Sequence, residues 1–338
     1  MPIALLSLQL AAATTVILLV SQFLTKSADI IAEKTGLGRS FIGVVLLATA
    51  TSLPELGTGL SSILLVDAPD LAAGDAFGSN LFNLLIIALL DFTWRNGPLL
   101  NAVSPTPKLV GALSAGLIAL ASISVFLGGN SLSILGLRLS PLSIALLVMF
   151  VAAIFATFRY GTPRAEKSSA DRPAALYADA SMSRATMTYL VAAVVIVVAA
   201  VVLAKAGHSL AEEMGWETSF VGTLFLAFST SLPELATSFA AIRLNAPELA
   251  ITNLLGSNMF NMGIVLFLDD AVYTEGALWG AISRVHSLTG ALAIAMTLVV
   301  IAALLVRPRR RPGKYWTYES AGLVALYLAA SVLVFNLA

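Results

Sequence analysis

Ten stretches of roughly 20 mostly apolar residues follow one another along the chain, each long enough to cross the hydrocarbon core of a bilayer. They fall at about 3–24, 40–65, 70–92, 108–127, 140–158, 186–206, 219–243, 247–268, 286–306 and 318–337. In lipid every backbone N–H and C=O must find its partner inside the protein, and a stretch of this length satisfies itself only as a helix. The expected fold class is therefore an all-α membrane protein with ten transmembrane helices. Composition agrees, with 58% of residues hydrophobic and only 11% charged, against roughly 25% charged in soluble domains. The opening MPIALLSLQL has no basic n-region, so the first stretch reads as a retained span rather than a cleaved signal.

Basic residues set the orientation. With the N-terminus outside, all but three of the 19 lysines and arginines fall in inside loops, the exceptions being Arg138, Lys205 and Arg284. The positive-inside rule then puts both termini outside and the 159–185 stretch in the cytoplasm. That stretch is polar and too short for a domain. It reads as a linker between a first unit, 1–158, and a second, 186–338. The expected location is the cell membrane (plasma or inner), crossed many times.

The two units repeat. LTKSADIIAEKTGLGRSFIGVVLLATATSLPEL at 24–56 aligns without gaps to LAKAGHSLAEEMGWETSFVGTLFLAFSTSLPEL at 203–235. After a slip of one residue, APDLAAGDAFGSNLFN at 68–83 aligns to APELAITNLLGSNMFN at 246–261. The copies sit an odd number of spans apart, so one is upside down relative to the other. Parity alone predicts two inverted-topology five-helix repeats, an arrangement typical of secondary transporters with a site near the bilayer midplane.

The repeated TSLPEL carries the chemistry. Pro54 has no N–H for the carbonyl of Ala50 and its ring crowds that carbonyl, so the helix should break or kink there. Carbonyls around Ala48 to Ala50 are expected to lose partners and turn towards an ion. Thr51 and Ser52 either cap the half-helix beginning at Leu53 or donate oxygens themselves. Glu55 enters the same gap. The second copy repeats this with Ala227, Thr230, Ser231, Pro233 and Glu234. A lone proline in a span is usually a packing kink, but a mid-span glutamate costs roughly 2.5–3.5 kcal/mol on insertion scales, and here it occurs twice at matching positions.

GSNLFN and GSNMFN add a second element. Gly78 and Gly256 permit close helix approach. Ser79 and Asn83 share one helix face, as do Ser257 and Asn261, with Asn80 and Asn258 one step round. The competing reading of these residues is a hydrogen-bonded packing motif between helices. All donors offered are oxygens. There is no cysteine, and neither His208 nor His286 lies in a repeat core. Hard cations such as Ca2+ favour oxygen, whereas transition metals favour imidazole or thiolate. Two carboxylates match one Ca2+, two Na+ or two protons. Facing each other without a cation in the membrane they would be costly, so the empty site should not readily change access while the loaded site can. That is obligatory exchange.

These motifs resemble the alpha-1 and alpha-2 repeats of the cation/Ca2+ antiporter superfamily, with wording most similar to its Na+/Ca2+ exchanger branch of prokaryotic type. The resemblance is strong over about 40–90 and 219–268 and weak elsewhere. It implies that Glu55 and Glu234 are central Ca2+ ligands. It also implies that Thr51, Ser52, Thr230, Ser231, Ser79, Ser257 and the carbonyls of Ala48 and Ala227 line Ca2+ and Na+ subsites. Asn83 and Asn261 match the remaining corners, where some relatives carry Asp, so a carboxylate is missing there. Asp75 stands where the family usually has Asn, as the second repeat has at Asn253. It is either a carboxylate on the cavity wall or a solvated residue paired with a loop, and the second is the reading carried forward. The resemblance further implies that spans 1 and 6 slide to switch access.

The expected function is Ca2+/Na+ antiport, with H+/Ca2+ antiport on the same scaffold as the alternative and a cation channel as the more distant one. A channel needs a continuous pore, usually at an oligomer axis. No enzyme activity, organic cofactor, nucleic acid or obligate protein partner is expected. The predicted partners are Ca2+, Na+ or H+, and the lipid bilayer.

Overall fold

The computed structural model describes residues 2–35, 47–103, 106–134, 137–168, 177, 179–307 and 316–337. The start of the second expected span (40–46), much of the expected linker (169–176) and the basic stretch 308–315 lie outside the described residues. Among the described residues, 9 helices are long and apolar enough to cross a membrane, and Leu53–Val66 is apolar but shorter. In chain order the helices are α1 (Ile3–Thr35), α2 (Leu53–Val66), α3 (Pro69–Thr93), α4 (Thr106–Leu127) and α5 (Pro141–Ser168). They continue as α6 (Met182–Met214), α7 (Thr218–Arg243), α8 (Pro247–Val272), α9 (Val285–Val306) and α10 (Tyr318–Leu337). The protein is thus a multi-pass, essentially all-helical membrane protein. One addition to the expected all-α class is a small antiparallel pair, Leu132–Ile134 with Leu137–Leu139, between α4 and α5. Its three-residue strands are too short to leave a period in the sequence.

Among the described residues α1 and α6 are the longest helices at 33 residues each, and they pack along one another. Their outer faces bear exposed Leu8, Leu19, Phe23, Val194 and Val198. Both run past the boundaries expected from hydropathy, 3–24 and 186–206. The apolar run marks the part suited to lipid, while the helix continues through polar turns carrying Lys26, Lys34 and the His208–Glu212 pair. Lys205, expected in a loop, lies inside α6, which ends at Gly215 in the left-handed region (φ 63).

α3 and α8 form the centre. They pack against each other, α3 also against α2 and α7, and α8 also against α7. Phe77, Leu81, Leu84 and Ile87 of α3 and Leu254, Leu255 and Met259 of α8 are buried on all sides. Gly78 is needed for this packing. A Cβ there would strike the backbone of Thr223 and come within 2.8 Å of the Ala227 Cβ, so α7 crosses α3 at backbone contact.

The far ends of α3 and α8 are tied by matching devices. Asp91 accepts the Leu99 N–H (2.8 Å), and Asp270 accepts the Leu278 N–H (2.9 Å). The second oxygen of Asp91 takes the hydroxyls of Thr317 and Ser320, and that of Asp270 takes the Ser140 N–H. The pairing fixes the register of the two copies. Asn83 matches Asn261, whereas Asp91 matches Asp270, so α8 has gained one residue in between. A π-helical turn at Asn261–Val265 accommodates it, as such single insertions usually are.

Candidate cation-binding site

The two TSLPEL segments interrupt their helices in the same way. Ala48–Thr51 is helical, Ser52 departs to φ −88, ψ 10, and α2 resumes at Leu53. In α7, Ala227–Thr230 is followed by Ser231 at φ −87, ψ 7 and helix from Leu232. The break is gentler than a capped restart. Neither serine makes a side-chain cap, which removes the capping alternative for them. The Ala48 carbonyl does not lose its partner either. It accepts the Ser52 N–H at 2.9 Å and the Thr51 hydroxyl at 3.3 Å, and Ala227 likewise accepts Ser231 N–H and Thr230. Pro54 removes the N–H directed at Ala50 alone.

Freed from capping, the serines reach across. Ser52 Oγ donates to Glu234 Oε1 (3.3 Å), and Ser231 Oγ donates to Glu55 Oε1 (3.1 Å). Thr51 and Ser257 are 3.4 Å apart through their hydroxyls, and Thr230 and Ser79 are also 3.4 Å apart. Asn83 Nδ2 donates to Asn258 Oδ1 (3.0 Å), and Asn261 Nδ2 donates to Asn80 Oδ1 (3.3 Å). Each contact has its mirror in the other repeat. The two amide pairs mean that the packing and functional readings of Asn80 and Asn258 are not exclusive, since these residues hold the amide groups of Asn83 and Asn261.

Every sequence-derived site residue is brought into this buried centre. Glu55, Glu234, Asn83, Asn261, Thr51, Ser52, Thr230, Ser231, Ser79, Ser257 and Ala48 are fully buried and Ala227 is nearly so. Of these residues the atoms left over are acceptors, while the neighbouring Asn80 leaves an Nδ2 donor unpartnered. Glu55 Oε2, Glu234 Oε2, Asn83 Oδ1 and Asn261 Oδ1 have no hydrogen-bond partner. Buried acceptors are rarely orphaned in native proteins, and four of them with one chemical preference describe a place for a hard cation. Among the described residues no three His, Asp or Glu side chains converge. The donor set is two carboxylates completed by amides and hydroxyls.

The mirror is imperfect. Glu234 Oε1 also accepts Ser257 Oγ at 3.1 Å. Asp75 is not a solvated residue paired with a loop. It is 1% exposed, and its Oδ1 accepts the Thr230 hydroxyl at 2.8 Å, so the wall reading replaces the one carried forward. Its counterpart Asn253 turns to Thr237 at 3.4 Å instead. Asp269 was not singled out from the sequence. It is fully buried beside α2, and both of its oxygens are unpartnered. Adjacent Asp269 and Asp270 at the end of an apolar run were the available signal.

A multi-pass helical bundle whose broken helices bring oxygen donors to a buried centre belongs to the class of membrane ion carriers. The chain is a member of the sodium/calcium exchanger protein family, whose profile matches residues 5–166 and 184–336, and so of the cation/Ca2+ antiporter superfamily. It is 28% identical over 293 residues to the inner membrane protein YrbG of Escherichia coli (strain K12), covering 85% of each chain. It is 25% identical over 279 residues to the sodium/calcium exchanger MaX1 of Methanosarcina acetivorans, covering 75% of this chain and 79% of the other. The fold is shared with the sodium-calcium exchanger NCX_Mj, with TM-score 0.63 at 19% identity over 98% of this chain and 99% of that one. It is also shared with YfkE, with TM-score 0.62 at 19% identity over 97% and 92%.

Proposed function

We propose that this protein is a secondary antiporter that exchanges Ca2+ for Na+ at the Glu55/Glu234 centre. The observation that carries the proposal is the reciprocal bonding of Ser52 to Glu234 and Ser231 to Glu55, which leaves one buried carboxylate oxygen on each glutamate without a hydrogen-bond partner. Ca2+ would be the cargo of that gap. Glu55 and Glu234 supply its charge balance, Asn83 and Asn261 supply amide oxygens, and the hydroxyls of Thr51, Ser52, Ser79, Thr230, Ser231 and Ser257 line Na+ and Ca2+ subsites. The carbonyls of Ala48 and Ala227 would join them where the Thr51 and Thr230 hydroxyls, which occupy their second lone pairs, turn away.

The mechanism follows from electrostatics. Two ionised glutamates in a dry centre repel each other, and leaving either unpaired costs several kcal/mol. The bundle therefore changes access readily only when cations balance them, and one ion leaves as another arrives. The layout behind this is two inverted five-helix units, 1–158 and 186–338, joined by a cytoplasmic 159–185 linker, with both termini outside. The mirrored contacts and the matched Asp91 and Asp270 anchors support it. The α1–α6 pair, packed together on the flank of the centre, is the element proposed to slide.

Proteoliposomes loaded with Na+ and diluted into Na+-free medium containing 45Ca2+ should accumulate Ca2+. Uptake driven by a pH gradient and indifferent to Na+ would overturn this reading in favour of H+/Ca2+ exchange. Conductance without any counter-ion would identify a channel.

A further inference from the structure

One helical turn from Glu55 on α2, the chain places a second set of oxygens that no part of the mechanism above uses. Glu55, Gly59 and Ser62 share one face of α2, at spacings of four and three. Asp269 of α8 lies against Gly59, where an added Cβ would stand 2.7 Å from both carboxylate oxygens. Asp269 is 0% exposed and neither oxygen has a hydrogen-bond partner. Ser62, also fully buried, has an unpartnered hydroxyl one turn further along. Asp75 and Asp270 are the charged groups that act on Asp269, and both are acidic.

The opposite repeat does not have this arrangement. Gly59 corresponds to Ser238, Ser62 to Ala241, Asp75 to Asn253 and, after the π turn, Asp269 to Leu90. The glycine that makes room and the carboxylate that fills it occur together on one side and are absent together on the other. A buried ionised carboxylate with two orphaned oxygens is costly until a cation or a proton neutralises it.

We propose that Asp269 holds a second hard cation, Na+ or Ca2+, in the Gly59 cradle, at a station between the Glu55/Glu234 centre and the end of the bundle where α2 and α8 terminate. The station rests on the carrier reading only in that its occupant would be an ion on its way to or from the centre. Its carboxylate can take the ion through both oxygens, as Ca2+ sites commonly do, and Ser62 is the neighbouring hydroxyl.

The test is equilibrium binding of 45Ca2+ and, separately, 22Na+ to the purified full-length protein in detergent, with D269N, D269L, G59A and E55Q. D269N and D269L should bind one cation fewer than the unmodified protein for at least one of the two ions, and G59A should weaken that cation at least tenfold. E55Q should remove a different cation, so that D269N and E55Q together lose both. Unchanged stoichiometry and affinity in D269N and G59A overturns the station. If D269N loses a cation and E55Q does not, the station stands and the central Glu55/Glu234 reading falls. If only E55Q loses one, the reverse holds. D269N and G59A keep the test intact should D269L fail to fold.

Discussion

The two copies of TSLPEL are alike at the centre and unlike one turn away. At the centre every cross-repeat contact of Glu55 with Ser231, Thr230 with Ser79 and Asn83 with Asn258 has its mirror, at nearly the same length. One turn out, the α2–α3 side carries Gly59 and Asp75 and receives Asp269, where the α7–α8 side carries Ser238 and Asn253 and the residue matching Asp269 is the apolar Leu90. An ion site reached from two directions needs the same donors facing each way. The approaches to it carry no such requirement, and there the two halves are free to differ in charge.

The comparison can be broken in steps of decreasing size. Replacing either glutamate by glutamine removes one of two balancing charges, so E55Q and E234Q should each reduce Ca2+ exchange on the order of 100-fold or more. If one variant retained near-normal 45Ca2+ uptake, the equivalence of the halves would be lost at its centre. Packing at the crossing of α3 and α7 comes next. Gly78→Val should lower stability by about 2–3 kcal/mol through overpacking, read as a drop in thermal midpoint of the detergent-purified protein. The serines test the imperfection of the mirror. Among the described residues Glu55 has Ser231 as its side-chain donor, while Glu234 has Ser52 and Ser257, with Thr51 beside them. A hydrogen bond to a charged group is worth about 1.5–3 kcal/mol, so Ser231→Ala should weaken Ca2+ affinity about tenfold or more and Ser52→Ala by clearly less. Equal losses would mean that the other partners of Glu234, Ser257 and Thr51, contribute nothing. Asp75→Asn should have the smallest effect, under about threefold on Ca2+ affinity, because an asparagine oxygen still accepts the Thr230 hydroxyl for about 1 kcal/mol. A larger loss would move Asp75 from the wall into the set of ion ligands.

What was legible in the sequence was whatever repeats or has a period. The spans followed from apolar length, and the central residues from the doubled motif, because Glu55 and Glu234 are improbable in lipid singly and more so as a pair. What escaped were contacts that depend on relative rotation of helices. For the serines the sequence left capping and oxygen donation both open, since capping is a short-range rule, and it did not show that their partners are the opposite repeat's glutamates. Asp269 was hidden by the extra residue of the π turn, since an alignment without it sets Asp269 opposite Asp91 and makes it look like that residue's counterpart, which is Asp270. Asp75 was placed towards a loop because its partner Thr230 lies across the bundle.

The length of α1 has a consequence of another kind. Its apolar part, Ile3–Ala28, is 26 residues long, about 39 Å as a helix, against about 30 Å of hydrocarbon. It must lie tilted or stretch the lipid around it. If this helix and α6 slide as a pair, every half-cycle also rearranges the surrounding acyl chains. Membrane thickness then acts as a mechanical load on transport, and lipids of different chain length should change the rate of the cycle while leaving the buried oxygens of Glu55 and Glu234 untouched.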